Sequence, residues 1–289
     1  MKTPHFSPRQ WRPTRSPSVP AGIWILAGLV SLVSWIYLPE GGSDWRQVFG
    51  PAVRHWWPAP WEEGLPLLPW AALVLSPLGG VPDRLATAFT NGLSVILLTS
   101  VIMQFGGPKW GAIPVLLTPP GLWLMVNGQV DCLVLGGLMF FNGVDPLILL
   151  MKPQVAAGAI VSRVKRTGRQ WSRYVLPSLV GLGISLVVWW MWPVAFLGPV
   201  MRQIPGYWNS SLWPFGIPFG LFSLWKAWKT ADERWGVVAS PLLSPYVNLP
   251  SYLGLLAVIV SRWPRWTVVV LIAVYGLFAF GLLTGNSFP

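Results

Sequence analysis

Nine Asp and Glu residues serve a chain of 289, and Glu40, Asp44, Glu62 and Glu63 all fall in one segment just after the first long apolar stretch. A positioned carboxylate can take a proton from a reacting hydroxyl. The chain has one cysteine and two histidines, of which His5 is near the N-terminus, so other general bases are scarce. The acids therefore mark where chemistry could occur. The second informative group is a cation. Lys152 lies in the apolar stretch Pro146–Ile160, far from the basic residues that follow it. An ionisable side chain at membrane depth is costly and points to a functional site or a buried partner. Its ammonium can meet an anionic phosphate, pair with Asp131 or Asp145, or snorkel to an interface from a helix end.

Asp44 has two readings. It can serve as a base, or it can cap a helix beginning at Ser43-Asp44 ahead of Trp45-Arg46-Gln47. Helical spacing would place Asp44, Val48 and His55 near one face. Arg54 can pair with a bound phosphate or with a lipid headgroup. Glu62 and Glu63 are alternative acids, although adjacent loop carboxylates are usually solvated. No His, Cys or carboxylate cluster has metal-ligand spacing, so no tightly held metal is expected.

The elements that must position these groups are apolar. The chain is 53% hydrophobic and 10% charged, against about a quarter charged in soluble domains. Uncharged runs recur at Ala21–Leu38, Leu85–Pro108, Trp110–Val130, Tyr174–Met201, Trp235–Ser261 and Trp266–Pro289. Each approaches or exceeds the roughly 18–20 residues of a spanning helix. The expected fold is all-α, a polytopic transmembrane helical bundle with broken or re-entrant helices. The net charge of +11 does not imply nucleic-acid binding, because the basic residues cluster beside the apolar runs. Lys2, Arg9, Arg12 and Arg15 precede the first run, and Arg163, Lys165, Arg166, Arg169 and Arg173 form one connector. Such clusters stay on the cytoplasmic side next to anionic headgroups. Cys132 stands alone, which excludes an internal disulfide and suits a small buried hydrophobe.

Residues 1–20 read as a disordered basic cytoplasmic tail, not a cleavable signal peptide. Residues 21–289 read as a single transmembrane domain with external loops near 39–64 and 197–214. The localisation implied is the plasma membrane, multi-pass, with a cytoplasmic N-terminus. Leu65–Val81, broken by Pro66, Pro69, Pro77 and Gly79-Gly80, is a short span or a hairpin dipping into the membrane. If it does not cross, Leu85–Phe105 runs inward and Trp110–Val126 delivers Asn127-Gly128-Gln129 to the outer face. The pieces between Val130 and Ser162 are too short to span singly. They predict broken helices whose ends meet inside the protein, where irregular backbone is tolerated. Ser240–Pro250, with three prolines, predicts two half-helices.

Several short motifs occur in one collinear order: Asp44-Trp45; a Pro-containing segment, Leu65–Leu78, ending Ser76-Pro77-Leu78; Asn127-Gly128-Gln129; Lys152-Pro153-Gln154; Asn209-Ser210-Ser211-Leu212; then Ser240-Pro241 and Ser244-Pro245-Tyr246. In this order the chain resembles the GT-C membrane glycosyltransferases of glycosyltransferase family 87, which are similar to polyprenyl-phosphate-mannose-dependent mannosyltransferases. The likeness covers most of residues 21–262. Relative to that family the chain is shortened, and the stretch between Gln129 and Lys152 is compressed. The resemblance implies an inverting transfer of a sugar from a polyprenyl-phosphate donor, with Asp44 in the position of the base. It implies no tightly bound cofactor.

On that reading Lys152 and Arg54 meet the donor phosphate, while Gln129 and Gln154 bond sugar hydroxyls or simply cap helix ends. Asn127 lets backbone approach a ligand, or merely forms a turn with Gly128. Asp131 orients Asn127 or Lys152. The partners implied are membrane lipid, a lipid-linked sugar donor and an acceptor of unassigned identity, with no nucleic acid. Two other classes remain open: a noncatalytic membrane scaffold subunit, and a transporter or flippase in which Lys152 and Asp131 form a buried relay.

Overall fold

The computed structural model describes residues 18–55, 67–190, 192–203 and 209–283, and every regular element among them is helical. The expectations for Glu62, Glu63 and most of the N-terminal tail lie outside the described residues. Helix α1 (Ala21–Tyr37) has an uninterrupted apolar sequence and exposes Trp24, Ile25, Leu29 and Ile36. Beyond a short linker, the π-type turn Trp45–Phe49 and α2 (Gly50–Arg54) lead to α3 (Trp70–Leu75). Then comes the long α4 (Asp83–Gln104), whose Asp83 sits in the first turn, where the helix dipole favours an acid.

Helices α1 and α4 run antiparallel. The Arg84 Nε donates to the Trp35 carbonyl at 2.5 Å, Asn91 Nδ2 donates to Ser34 Oγ at 2.9 Å, and Gly92 packs on Ser31. Residues 38–82 therefore leave and rejoin the pair at the same end. The six-residue α3 is too short to cross a bilayer, so the described part of Leu65–Val81 does not span.

The chain then returns along α4 through α5 (Ala112–Leu116) and α6 (Pro119–Asn127). The expected continuous run Trp110–Val130 is split here, because Pro119 and Pro120 lack the donors a helix interior needs and suit a helix start instead. Thr118 Oγ1 caps the new helix by accepting from the Gly121 amide. A 107° bend then leads into α7 (Asp131–Gly136). Helices α8 (Asp145–Leu150), α9 (Pro153–Ala156) and α10 (Ala159–Thr167) follow as short pieces. The broken helices expected between Val130 and Ser162 are thus present.

Helix α11 (Trp171–Val188) follows the break at Gly168, where φ is +53°. Helix α12 (Trp192–Gln203) extends to Gln203 within the segment 197–214 expected as an external loop; Trp192 anchors it edge-on against Trp70, with ring centroids 5.7 Å apart. Helices α13 (Ile217–Thr230) and α14 (Glu233–Leu243) form a hairpin, with Asp232 capping α14. The expected run Trp235–Ser261 is broken where α14 ends at Leu243. It resumes with the turn Leu249–Tyr252 and α15 (Leu253–Arg262), before α16 (Thr267–Leu283).

Among the described residues, two segments are long and apolar enough to cross a membrane: α4 and the stretch Ala159–Val188, whose apolar part is α11. Counting each sharply bent pair as one span raises the number to four. The second such pair joins Leu249–Arg262 to Pro264–Gly276 at 115°. Of the six uncharged runs, Trp110–Val130 is divided at Pro119-Pro120, Trp235–Ser261 is divided as the half-helices expected over Ser240–Pro250, and α1 and α16 are 17 residues each. Helix α11 exposes Leu176, Leu179, Val180, Ile184 and Val187, and α13 exposes Phe219, Leu221, Phe222 and Trp225. Apolar faces of this extent mark contact with lipid or another chain rather than water.

One residue departs from its expected place. Arg163, grouped by sequence with an exposed basic connector, is 1% exposed. Its Nε donates to Glu233 Oε2 at 2.9 Å and its Nη1 to Asp145 Oδ2 at 2.5 Å. It also donates to the carbonyls of Leu138 and Phe140, at 2.5 and 2.6 Å. The acids absent from its own connector come from α8 and α14.

Candidate active site

The loop after α1 meets the turn after α6 by direct backbone contact. A Cβ at Gly42 would stand 2.4 Å from the Asn127 carbonyl carbon, so only glycine fits. Gly128 (φ +67°) supplies the left-handed residue that closes α6. The Gly42 amide donates to Thr87 Oγ1 at 2.9 Å, and Ser43 Oγ donates to Asn127 Oδ1 at 2.5 Å. This seats Asp44 above the break between α6 and α7. Gly42→Ala is expected to push the loop off that turn at a cost of about 1–3 kcal/mol, read as a lower thermal midpoint of the detergent-solubilised protein.

Asp44, Gln129, Lys152, Asp131 and Ser251 form one continuous hydrogen-bonded chain. Gln129 Nε2 donates to Asp44 Oδ2. Lys152 Nζ donates to Gln129 Oε1 at 3.1 Å and to Asp131 Oδ2 at 2.7 Å. Ser251 Oγ completes the chain by donating to Asp131 Oδ1 at 2.8 Å. Each member comes from a break in helical structure. Gln129 lies in the α6–α7 bend, Asp131 opens α7, Ser251 belongs to the turn before α15, and Lys152 precedes Pro153. Proline disfavours helical geometry in the residue before it, and Lys152 accordingly leaves the helix with φ −138° and ψ 83°.

Gln129, Lys152, Asp131 and Ser251 are buried, whereas Asp44 is half-buried and forms the accessible end. Burial raises the Asp44 carboxyl above its ordinary pKa, and Asp131 pushes the same way; Lys152, Ser43 and Gln129 pull it down without cancelling the rise. Two protons of the Lys152 ammonium are engaged, and the third has no protein acceptor among the described residues. Gln129 fixes the polarity of the chain, because its amide nitrogen faces the carboxylate and its oxygen faces the cation.

The cap reading of Asp44 does not hold, since its side chain makes no capping bond. Arg54 does not join the site. It pairs at the surface with Asp83 at 2.8 Å, and His55 is likewise exposed. The π-type turn after Asp44 changes the helical register on which the shared face was projected. Gln154 is buried in α9 but takes part in none of the bonds of the chain. Asn127 contributes through Ser43 and holds its own turn by donating to the Trp123 carbonyl at 2.9 Å. Lys152 pairs with Asp131, while Asp145 belongs to Arg163 at the other end of α8.

Sequence reasoning missed Ser251 and named Ser43 and Trp45 only as neighbours of Asp44. Trp45 is fully buried beside Asp44, and its indole N–H has no partner among the described residues. Such a donor costs about 1–3 kcal/mol. For Ser251 no local signal exists, as it lies 120 residues from Asp131.

No family model matches this chain, and neither the curated proteins nor the solved structures compared with it yield a match.

Proposed function

We propose that the protein is a multi-pass membrane glycosyltransferase that moves a sugar, with mannose the first to test, from a polyprenyl-phosphate donor to an acceptor hydroxyl. The carrying observation is the bonded path from Asp44 through Gln129 to Lys152, which places a candidate base and a candidate phosphate-binding cation in one site. In the reaction Asp44 takes the proton of the acceptor hydroxyl as its oxygen attacks the anomeric carbon. The bond from that carbon to the phosphate oxygen breaks, and the lipid phosphate leaves with the electron pair. Attack from the face opposite the leaving group inverts the anomeric centre. The free N–H of Lys152 stabilises the departing phosphate, and Asp131 with Ser251 holds the ammonium in place.

The distribution of charge supports an external site in a plasma-membrane protein. Lys109, Lys165, Arg166, Lys229, Arg234 and Arg262 lie at the Gln104 end of α4, against Arg46, Arg54 and Arg84 at the Asp83 end. At the Gln104 end Arg234 donates to the Phe105 carbonyl, Arg166 to the Ala231 carbonyl and Ser261 to the Ile102 carbonyl. Asp44 lies at the opposite end, beside Thr87. The positive-inside rule puts the basic end in the cytoplasm. The shared order of motifs with the GT-C family 87 enzymes supports the reaction class.

The test is incubation of the purified full chain with polyprenyl-phosphate mannose and a panel of hydroxyl acceptors. Inverted glycosylated product is expected, and its absence across the panel would overturn the reading. A second reading is favoured by the sealed Lys152–Asp131 pair, which suits ion-coupled transport of a polar or lipid-linked substrate. It predicts substrate movement across proteoliposomes with no chemical change. A protein that neither transfers nor transports is a noncatalytic scaffold.

A further inference from the structure

Two loops distant in sequence are clamped together beside this site. Asn209 uses both ends of its amide: Nδ2 donates to the Pro245 carbonyl at 2.9 Å, and Oδ1 accepts from the amides of Val247 and Ser211, both at 3.0 Å. The Ser210 amide donates to the Val247 carbonyl at 2.8 Å, and Ser211 Oγ to the Ser244 carbonyl at 2.5 Å. Tyr252 Oη donates to the Ser210 carbonyl at 2.7 Å. The adjacent Ser251 is bonded to Asp131, so the clamp is tied directly to the buried chain.

Tyr246 stands within the clamped loop. Ser244 Oγ donates to its carbonyl at 2.6 Å, which fixes its backbone. Its half-buried side chain lies within electrostatic reach of both Asp44 and Asp131. Its hydroxyl nevertheless bonds neither carboxylate, and has no hydrogen-bond partner among the described residues. A phenol on a loop tied through Tyr252 and Ser251 to Asp131, with no hydrogen-bond partner among the described residues, is placed for a ligand. A segment as polar as Asn209-Ser210-Ser211 offers no path for a prenyl tail, and the phosphate has Lys152. The molecule that must come to Asp44 is the acceptor.

We infer that the clamped loops 209–211 and 244–248 form the acceptor-binding wall of the site, and that Tyr246 contacts a hydroxyl-rich acceptor such as a polyol or glycosyl head. This rests on the transferase reading. The ring covers the apolar face of the acceptor, and the phenol donates a hydrogen bond to one of its oxygens. Asn209 is a positioning residue that acts through the loop.

The experiment measures initial rates with the full chain, varying acceptor and donor separately. Tyr246→Phe keeps the ring and the fold and is expected to raise the acceptor KM on the order of tenfold, with the donor KM unchanged. Tyr246→Ala removes the ring as well and should raise the acceptor KM further. Size-exclusion elution matching wild type shows that each variant is folded. If the wild type transfers and Tyr246→Phe leaves the acceptor KM in place, or raises the donor KM instead, this inference alone fails. A wild type that transfers to nothing sinks the transferase reading and this inference with it.

Discussion

Asp44→Asn is expected to cut transfer by about 10²–10⁴-fold while leaving the protein at least as stable as wild type near neutral pH. The two halves of this outcome have one cause. The amide is nearly isosteric and still accepts from Gln129 Nε2 through its oxygen, so the packing of the loop is retained. It cannot take a proton from a hydroxyl. The carboxyl, by contrast, is held above its ordinary pKa by burial, which means the folded state disfavours its ionised form. Between the unfolded value of about 3.9 and the raised folded value, the native protein binds more protons than the unfolded chain. Stability therefore falls as pH rises through that window, and the variant escapes the loss. Thermal unfolding in detergent at about pH 4 and about pH 7 should show the variant gaining on wild type at the higher pH. The acidic limb of the rate–pH profile should rise with ionisation of Asp44. A merely structural Asp44 would give the reverse pattern, with stability and activity lost together.

Arg163→Met is expected to cost on the order of 3–5 kcal/mol or more and to leave little folded protein. Its guanidinium neutralises Asp145 and Glu233 in a region closed to solvent. It also takes up the carbonyls of Leu138 and Phe140, where α7 and the turn after it end. Tyr174 Oη donates to Asp145 at 2.5 Å and Gln104 Nε2 to Glu233 at 3.1 Å, so α4, α8, α10, α11 and α14 meet at this one side chain. Removing the cation leaves Asp145 with hydrogen-bond donors but no counter-charge and Glu233 with only the more distant Arg166 at 3.9 Å, and it leaves backbone acceptors unpaired. Arg163→Lys keeps the charge, but three donors on a single nitrogen cannot reproduce the planar fork, so an intermediate loss is expected. Adding Asp145→Asn and Glu233→Gln to Arg163→Met should recover part of the stability, because the stranded charges are then gone. Folded yield on size-exclusion chromatography and the thermal midpoint read all three variants. Recovery by the triple variant separates charge stranding from simple loss of packing.

The broken helices of residues 130–162 were legible because prolines, glycines and isolated polar residues interrupt apolar runs in ways that local backbone chemistry dictates. Asp44, Gln129 and Lys152 were legible for a related reason: a polar or charged group is conspicuous when so little of the chain is polar. Arg54 misled because its position was projected on a regular helix, and a π-type turn intervenes. Arg163 misled because the acids that bury it lie 18 and 70 residues away. Trp110–Val130 and Trp235–Ser261 were long enough in sequence, yet proline divides each into shorter helices.

Composition and local pattern by themselves determined the all-helical, apolar character of the chain, the sites of its helix breaks and the scarcity of groups able to do acid–base work. Those properties follow from hydropathy and backbone constraints, which act within a few residues. Only the tertiary structure decided that Gln129 joins Asp44 to Lys152, that Asp131 and Ser251 hold the ammonium, and that Tyr246 is clamped alongside. Hydrogen bonds act over about 3 Å between residues that may stand a hundred positions apart. Which polar groups find one another is therefore set by how the helices pack.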